Sequence, residues 1–467
     1  MYVVNIMLTM FYYALALTFC TFFALLKWNK IRYSRKGMPP GSLGWPFLGE
    51  SLRFLTQGPG FMKGRRSRYG NFFKTHALGS PIVVSMNPDV NRYILMNEAK
   101  GLVPGYPDSM RKILGTNIAE VHGATHKRIR GSLLSLIGPI AAKDRLLPEL
   151  DDFMSSNLDN WAGKIVDLQE KTVEMVFLVS MKAVVENEPN SFLKSFKATF
   201  DNMALATISL PIKIPGTDYF RGLTARGKVV KMLRELLAKR RASSDTHNDI
   251  LDQLLKSEDS KNKLDDEEII EQIITILYSG YETVSTTTMM AIKYLGHNPS
   301  ILQAVRDEHF AIQQKKMPNE RISWDDYKNM GITRAVILET LRLASVVAGV
   351  MRRTTDDIEL NGFVIPKGWR VYAYTRETNL DPFLYQQPYT FNPWRWLDKG
   401  LESHNHNLLF GAGTRVCPGK EWGMLKISIF LHYFVTRYRW EETKGNKLLK
   451  FPRVLAPEGL HVKITEY

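Results

Sequence analysis

A chain of 467 residues with 44% hydrophobic and 23% charged side chains is ordinary globular material, enough for one large domain or two or three small ones. Glycine and proline are not enriched, which argues against long disorder, no solenoid period recurs, and two cysteines exclude a disulfide framework. The net charge is +15, yet no basic–aromatic signature or zinc spacing points to nucleic acid, which leaves an anionic membrane surface or an acidic protein partner as its counterpart.

Residues 1–26 hold no charged side chain, and the KWNKIRYSRKG that follows has Lys27, Lys30, Arg32, Arg35 and Lys36 without an acid. An apolar run of this length predicts one membrane-crossing helix, and its basic flank places the rest in the cytosol. A cleaved signal would carry its charge before the apolar run and small residues after it. The expected organisation is a transmembrane anchor over 1–26, a basic and Pro/Gly-rich linker over 27–49, and one unit over 50–467.

PIVVSMNPDVNRYILMN (81–97) predicts a short strand and then a helix. Helical spacing dominates from about residue 124, as in 146–165 and 228–244. SLPIKIPGTDYF (209–220) is apolar and broken by proline, which suits either a packed connection between helices or a surface loop entering a headgroup layer. Residues 265–299 are the longest helix candidate, with acids Asp265 to Glu268 at its start and Gly296 and Pro299 at its end. It is apolar nearly all round, so it should run through the middle of the domain. DIELNGFVIPKGWRVYAYT (357–375) alternates around an Asn-Gly turn and predicts strands. The fold class is mainly α with a smaller β part.

Four constellations stand out. In the long helix, Gly280 costs about 1 kcal/mol relative to alanine, and with Thr283 three residues on it suggests a notch against a ligand; Glu282 between them needs a partner. Read alone, a packing glycine explains it as well. Glu339 and Arg342 share a helix face and can pair, as surface salt bridges do. His126 and Arg130 lie one turn apart and offer donors to a carboxylate, or form a solvated basic face. In FGAGTRVCPG (410–419), Cys417 precedes a helix whose dipole favours a thiolate, a good ligand for a soft metal. One thiolate cannot build a zinc site, but it can be the axial ligand of haem iron. A catalytic thiol would need a base from elsewhere in the chain.

The pattern Phe410-x-x-Gly413-x-Arg415-x-Cys417-x-Gly419 resembles that of the cytochrome P-450 superfamily of haem-thiolate monooxygenases. The other constellations fall in the family's order, and FNPWRW (391–396) adds Arg395; the likeness covers residues 38–467. Within it, ITILYSGYETVSTTTMM, YTRETNLDP, FNPWRW and LHYFVTRYRWEE look like the plant brassinosteroid 6-oxidases. The superfamily often has proline three residues after the arginine of Glu-x-x-Arg. Ser345 stands there, a departure that those oxidases share.

The resemblance implies the cytochrome P-450 fold behind an N-terminal transmembrane helix, and haem b bound through the Cys417 thiolate with Phe410, Gly411 and Gly419 around it. His126, Arg130, Arg352 and Arg415 are implied for the haem propionates, with Arg353 the alternative to Arg352. Gly280, Glu282 and Thr283 would handle dioxygen and protons, and Glu339, Arg342 and Arg395 would form a buried network. Expected pocket walls are Val103 to Ile118, Leu277, Ser279 and Val346 to Val350. The implied partners are a steroid, dioxygen, an NADPH-dependent flavoprotein reductase and the endoplasmic reticulum membrane, crossed once with the catalytic domain cytosolic. The implied reaction oxidises carbon 6 of a 6-deoxo brassinosteroid. The alternatives are a monooxygenase of another sterol or diterpene, or a haem-thiolate isomerase that needs no dioxygen.

Overall fold

The computed structural model describes residues 2–467 apart from 47, 160, 187, 246, 257–262, 318–319 and 444–446, with the side chains of 2–9 and 399 outside the description. The helices that position the site are α1 (Tyr2–Leu26), α2 (Gly123–Ile137), α3 (Leu168–Val184), α4 (Asp266–Gly296), α5 (Gly331–Ala344) and α6 (Lys420–Arg437). α4 starts at a capping box. Asp265 accepts from the N–H of Glu268 at 2.8 Å, and the Glu268 carboxylate accepts from the N–H of Asp265 at 3.1 Å. It ends where the indole of Trp440 closes on Gly296, since a Cβ there would lie 2.9 Å from Nε1. Pro299 then opens the next helix, Pro299–Gln313. α4 packs against α3, α5 and α6, which is why its apolar residues go nearly all round.

A five-stranded sheet stands beside the helices. Its strands are β1 (Phe72–Ala77), β2 (Ser80–Ser85), β3 (Leu102–Pro104), β4 (Val350–Thr354) and β5 (Arg370–Ala373), in the order β1-β2-β5-β4-β3. β2 and β5 are parallel and the other pairs antiparallel. The register sets Arg352 opposite Val371 and Pro104. Because successive strand residues face opposite sides, Arg352 is buried and Arg353 exposed. The expected Asn-Gly turn joins Ile358–Leu360 to Phe363–Ile365, with Asn361 and Gly362 at φ of 55° and 75°. The fold is thus mixed, with helices predominating.

Two expected elements differ. The helix expected over 146–165 stops at Asn157; Ile165–Asp167 is a strand that pairs with His461–Glu466. Gly163, at φ 72°, turns the chain between them. The 209–220 segment is irregular up to Thr217, and Leu210, Ile212 and Ile214 are exposed, so it is not a packed connection.

The transmembrane anchor is corrected. Residues 2–26 are helical, but among the described residues no helix is long and apolar enough to cross a membrane. Thr18 and Thr21 donate their hydroxyls to Ala14 O and Leu17 O, at 2.8 and 2.7 Å. The first nine side chains of the expected anchor lie outside the described residues. The membrane as a partner and the single-pass reticulum topology rested on that span and fall with it. The Pro/Gly-rich segment that follows lies on β1, where Lys74 donates its N–H to Pro40 O at 2.8 Å and its Nζ to Pro39 O at 2.6 Å.

One charged side chain is buried where α3, α4 and α6 meet. Lys426 of α6 donates to Ser180 Oγ at 2.7 Å and lies over the Trp422 ring. Burial pushes its pKa down to about 7. The unfolded chain holds the proton up to the ordinary lysine range, so the fold carries a penalty that is complete below pH 7 and fades as pH rises toward 10.5. Lys426→Met should therefore stabilise the protein by roughly 5 kcal/mol at pH 6 and far less at pH 10. Denaturant unfolding at both pH values checks it; a gain independent of pH would contradict the account.

Candidate active site

The loop before α6 is closed by the Cys417 N–H, which donates to Phe410 O at 2.8 Å. Gly413 has φ 69°, and a Cβ there would lie 2.9 Å from Leu95 O, so a side chain would push the loop away from residues 95–96. Cys417 lies deep in the fold, yet its sulfur has free surface because it faces a cavity. Burial pushes its thiol up, while the Gly419 N–H and the charges of Arg130 and Lys420 act against that.

The cavity is ≈ 300 Å³ and brings together residues that lie far apart in the chain. Phe410, Gly411, Arg415, Cys417 and Gly419 come from the loop, His126 and Arg130 from α2, Thr283, Val284 and Thr287 from α4, and Arg352 from β4. Ile118, Leu341, Val346, Val347 and Val350 give it apolar walls. Of the expected walls, Leu277 is buried away from the cavity and Ser279 does not line it.

Burial and the neighbouring Arg415 push His126 down to about 4, so it is neutral at pH 7 and offers one N–H. Arg352 is buried, and its Nε has no partner. Arg415 is already engaged. Its Nε and Nη2 donate to the Glu98 carboxylate, both at 2.6 Å, and Nη1 donates to Ile118 O at 3.0 Å. Burial alone would raise Glu98; the hydrogen bonds and charge of Arg415 outweigh it and hold the carboxyl below its ordinary value. Glu98 and Tyr106, a further lining residue, have no local sequence signal, because their partners lie hundreds of residues away.

These residues fit haem b. The cavity offers a thiol, the guanidinium groups of buried Arg352 and half-buried Arg130 for anionic arms, and apolar walls for a flat ring. Among the described residues no cluster of three or more His, Cys, Asp and Glu is placed to hold a metal ion. The thiol therefore suits a metal that brings most of its own ligands.

On α4, Thr283 faces the cavity but Gly280 does not. A Cβ on Gly280 would lie 3.6 Å from Lys426 Nζ and 3.7 Å from Ser180 Oγ, on the side away from the cavity. Four residues bring a helix back to the same face more nearly than this pair's three do, and Ser279, not Gly280, stands one turn before Thr283. Glu282 does not line the cavity either. It pairs with Arg453 Nε at 3.1 Å. Arg453 also donates to Ala204 O at 2.9 Å and to Thr207 Oγ1 at 2.5 Å. Burial pushes the Glu282 carboxyl up, with Arg453 and Tyr278 opposing. Arg453, which no motif marks, is thus the partner that Glu282 requires.

Glu339 and Arg342 are fully buried and bidentate, both contacts at 2.8 Å. Arg395 Nε reaches Glu339 at 3.3 Å, and Asn392 N and Trp396 Nε1 donate to the same carboxylate at 2.9 and 2.8 Å. Arg342 spends its other donors on Asn379 O and Pro388 O at 2.8 and 2.7 Å. α5 ends at Ser345 in the left-handed conformation, φ 49° and ψ 53°, which aims the chain at Val346 to Val350.

A model of the family described as Cytochrome P450 matches residues 39–464. The chain is 58% identical over 454 residues to Cytochrome P450 85A of Phaseolus vulgaris, covering 97% of each chain. It is 57% identical to Cytochrome P450 85A1 of Solanum lycopersicum, covering 96% of this chain and 97% of that one. It is 34% identical to the 3-epi-6-deoxocathasterone 23-monooxygenase of Arabidopsis thaliana, covering 92% and 85%. Among solved structures, a retinoic acid bound cyanobacterial CYP120A1 superposes with a TM-score of 0.83 at 28% identity, covering 92% of this chain and 99% of the other.

Glu339→Gln should cost about 3–5 kcal/mol, because Arg342 is then left buried without a counter-charge. Chemical unfolding of the variant beside Arg395→Lys, expected to be milder because Arg395 makes the longest contact, measures this. Equal losses in the two would show that the network shares its burden evenly.

Proposed function

The chain belongs to the cytochrome P450 family, and from that membership we propose that it oxidises carbon 6 of 6-deoxo brassinosteroids, taking 6-deoxocastasterone to castasterone. The carrying observation is the 58% identity over 454 residues to a Cytochrome P450 85A, joined to the stretches that resemble the plant brassinosteroid 6-oxidases. The relative named for 23-oxidation of 3-epi-6-deoxocathasterone lies further off, at 34%. The haem-binding unit is residues 50–467. Electrons pass from NADPH through a flavoprotein reductase, since no nicotinamide or flavin fingerprint occurs in the chain.

Haem, held through the Cys417 sulfur, supplies the iron chemistry that activates dioxygen for insertion into a C–H bond. Each round consumes one dioxygen, one NADPH and one proton, and releases one water. Two rounds at one methylene give a geminal diol, which loses water to leave the ketone.

The chain's own residues bind, orient and move protons. Arg130 and Arg352 meet the propionate charges, and neutral His126 adds a donor. Arg415, tied to Glu98, fixes the cysteine loop against residues 118–121 and keeps one N–H for the cofactor. The N–H of Gly419 stabilises negative charge on the sulfur. Thr283 Oγ1 donates to Ser279 O at 2.6 Å, so its lone pairs can accept from a water on the cavity side. Glu282, its carboxyl raised by burial, serves that water with protons when it leaves Arg453. The apolar walls at Ile118, Val346 and Val350 take the steroid hydrocarbon.

Incubation with reductase, NADPH and 6-deoxocastasterone should yield castasterone by mass spectrometry. Turnover of another sterol with none here would keep the family and replace the substrate. Thr283→Ala should divert electrons to peroxide while haem stays bound. Unchanged product per NADPH would remove Thr283 from proton delivery.

A further inference from the structure

Among the described residues, the lining of the Cys417 cavity holds three arginines, Arg130, Arg352 and Arg415, and no aspartate or glutamate. Among the described residues, neither Arg130 nor Arg352 pairs with a carboxylate. Arg415 does. Its Nε and Nη2 hold both oxygens of Glu98 at 2.6 Å, in the fork geometry that guanidinium and carboxylate share. The two side chains are 9% and 15% exposed, so water screens the pair little.

Glu98 itself does not line the cavity. It lies just past the helix Pro88–Met96, and Thr414 Oγ1 donates to the same carboxylate at 3.4 Å. Arg415 has two further anchors, the carbonyls of Ile118 and Val121, and the Cys417 N–H closes the loop on Phe410 O. The guanidinium is therefore placed without an acid. What Glu98 adds to those contacts is a negative charge.

The other neighbours leave that charge decisive. Burial and Arg415 push His126 down to about 4, so it carries no charge at pH 7. Lys420, whose charge also acts on the sulfur, is paired with Glu402 at 3.0 Å. Three guanidinium charges less one carboxylate leave two positive charges. Haem b carries two propionate arms, and its ferric iron, porphyrin ring and thiolate ligand together have no net charge. Site and ferric cofactor then balance, and an electron added to the iron has no counter-charge.

We infer that Glu98 is a positioning residue that acts on the cofactor through Arg415: by cancelling that guanidinium it matches the pocket to the two propionates and holds the iron ferric against reduction. It touches neither cofactor nor substrate. The inference rests on haem bound through Cys417 and is independent of which steroid is oxidised.

The test uses the full-length, haem-loaded protein without substrate or reductase. The ferric–ferrous equilibrium is followed by absorbance as the potential is stepped in a mediated titration. Glu98→Gln keeps the shape and an acceptor oxygen for Arg415 but removes the charge. It should favour the ferrous form by about tenfold, a rise of about 59 mV for a one-electron couple. Glu98→Asp keeps the charge on a shorter arm and should stay within about twofold. An unchanged midpoint in Glu98→Gln, or an equal rise in both variants, would overturn the inference. Loss of haem from both would overturn it too, since Glu98 would then be a prop of the loop. Loss from Glu98→Gln alone, with Glu98→Asp loaded and unshifted, would uphold the need for its charge. If the CO complex of the unaltered protein lacked the thiolate spectrum, the haem-thiolate reading would fall and this assignment with it.

Discussion

The Glu339 carboxylate is the fixed point beneath the site. Two guanidinium groups, an indole N–H and a backbone N–H converge on it, three of them from residues 392–396 and one from Arg342 on its own helix. An ion pair removed from water is stable only when every remaining donor and acceptor is met. Arg342 satisfies that condition through the carbonyls of Asn379 and Pro388. The pair thereby ties α5 to the 379–396 segment. The chain then runs through a short helix, Lys399–Ser403, to the loop that carries Cys417.

α4 then divides the interior into three environments. Toward the cavity it shows hydroxyls, toward α3 and α6 it shows Gly280 against a buried lysine, and toward Arg453 it shows Glu282. Consecutive helix residues point about 100° apart, so the Ser279–Thr283 stretch samples all three within little more than one turn. A proton donor and its reservoir can therefore be neighbours in sequence yet face different surroundings. Burial raises the Glu282 carboxyl and Arg453 opposes it, whereas Thr283 faces the cavity.

Some of this was legible in the residues. Asp265 and Glu268 marked the start of α4 because capping is local chemistry, and the Asn-Gly turn was legible because positive φ selects few residue types. The cysteine loop and Glu339 with Arg342 were recognisable by pattern. What stayed hidden depends on contacts between distant segments: Glu98 under Arg415, Arg453 beside Glu282, Trp396 over Glu339. Gly280 was placed on the wrong face because an i,i+3 pair lies only loosely in line. An uncharged run and its basic flank suggested the span at 1–26, whereas among the described residues no helix is long and apolar enough to cross.

Ser345 shows a further consequence of local geometry. A residue at φ 49° occupies a conformation that proline, locked near −65°, cannot enter. Two ways of stopping a helix are thus mutually exclusive at this place, and they send the chain in different directions. Here the exit leads to Val346, Val347 and Val350, which are cavity wall. The shape available to a ligand is therefore inherited in part from one backbone torsion outside the cavity. The wall made by Val346, Val347 and Val350 thus follows directly from a torsion that a proline at the same place could not adopt.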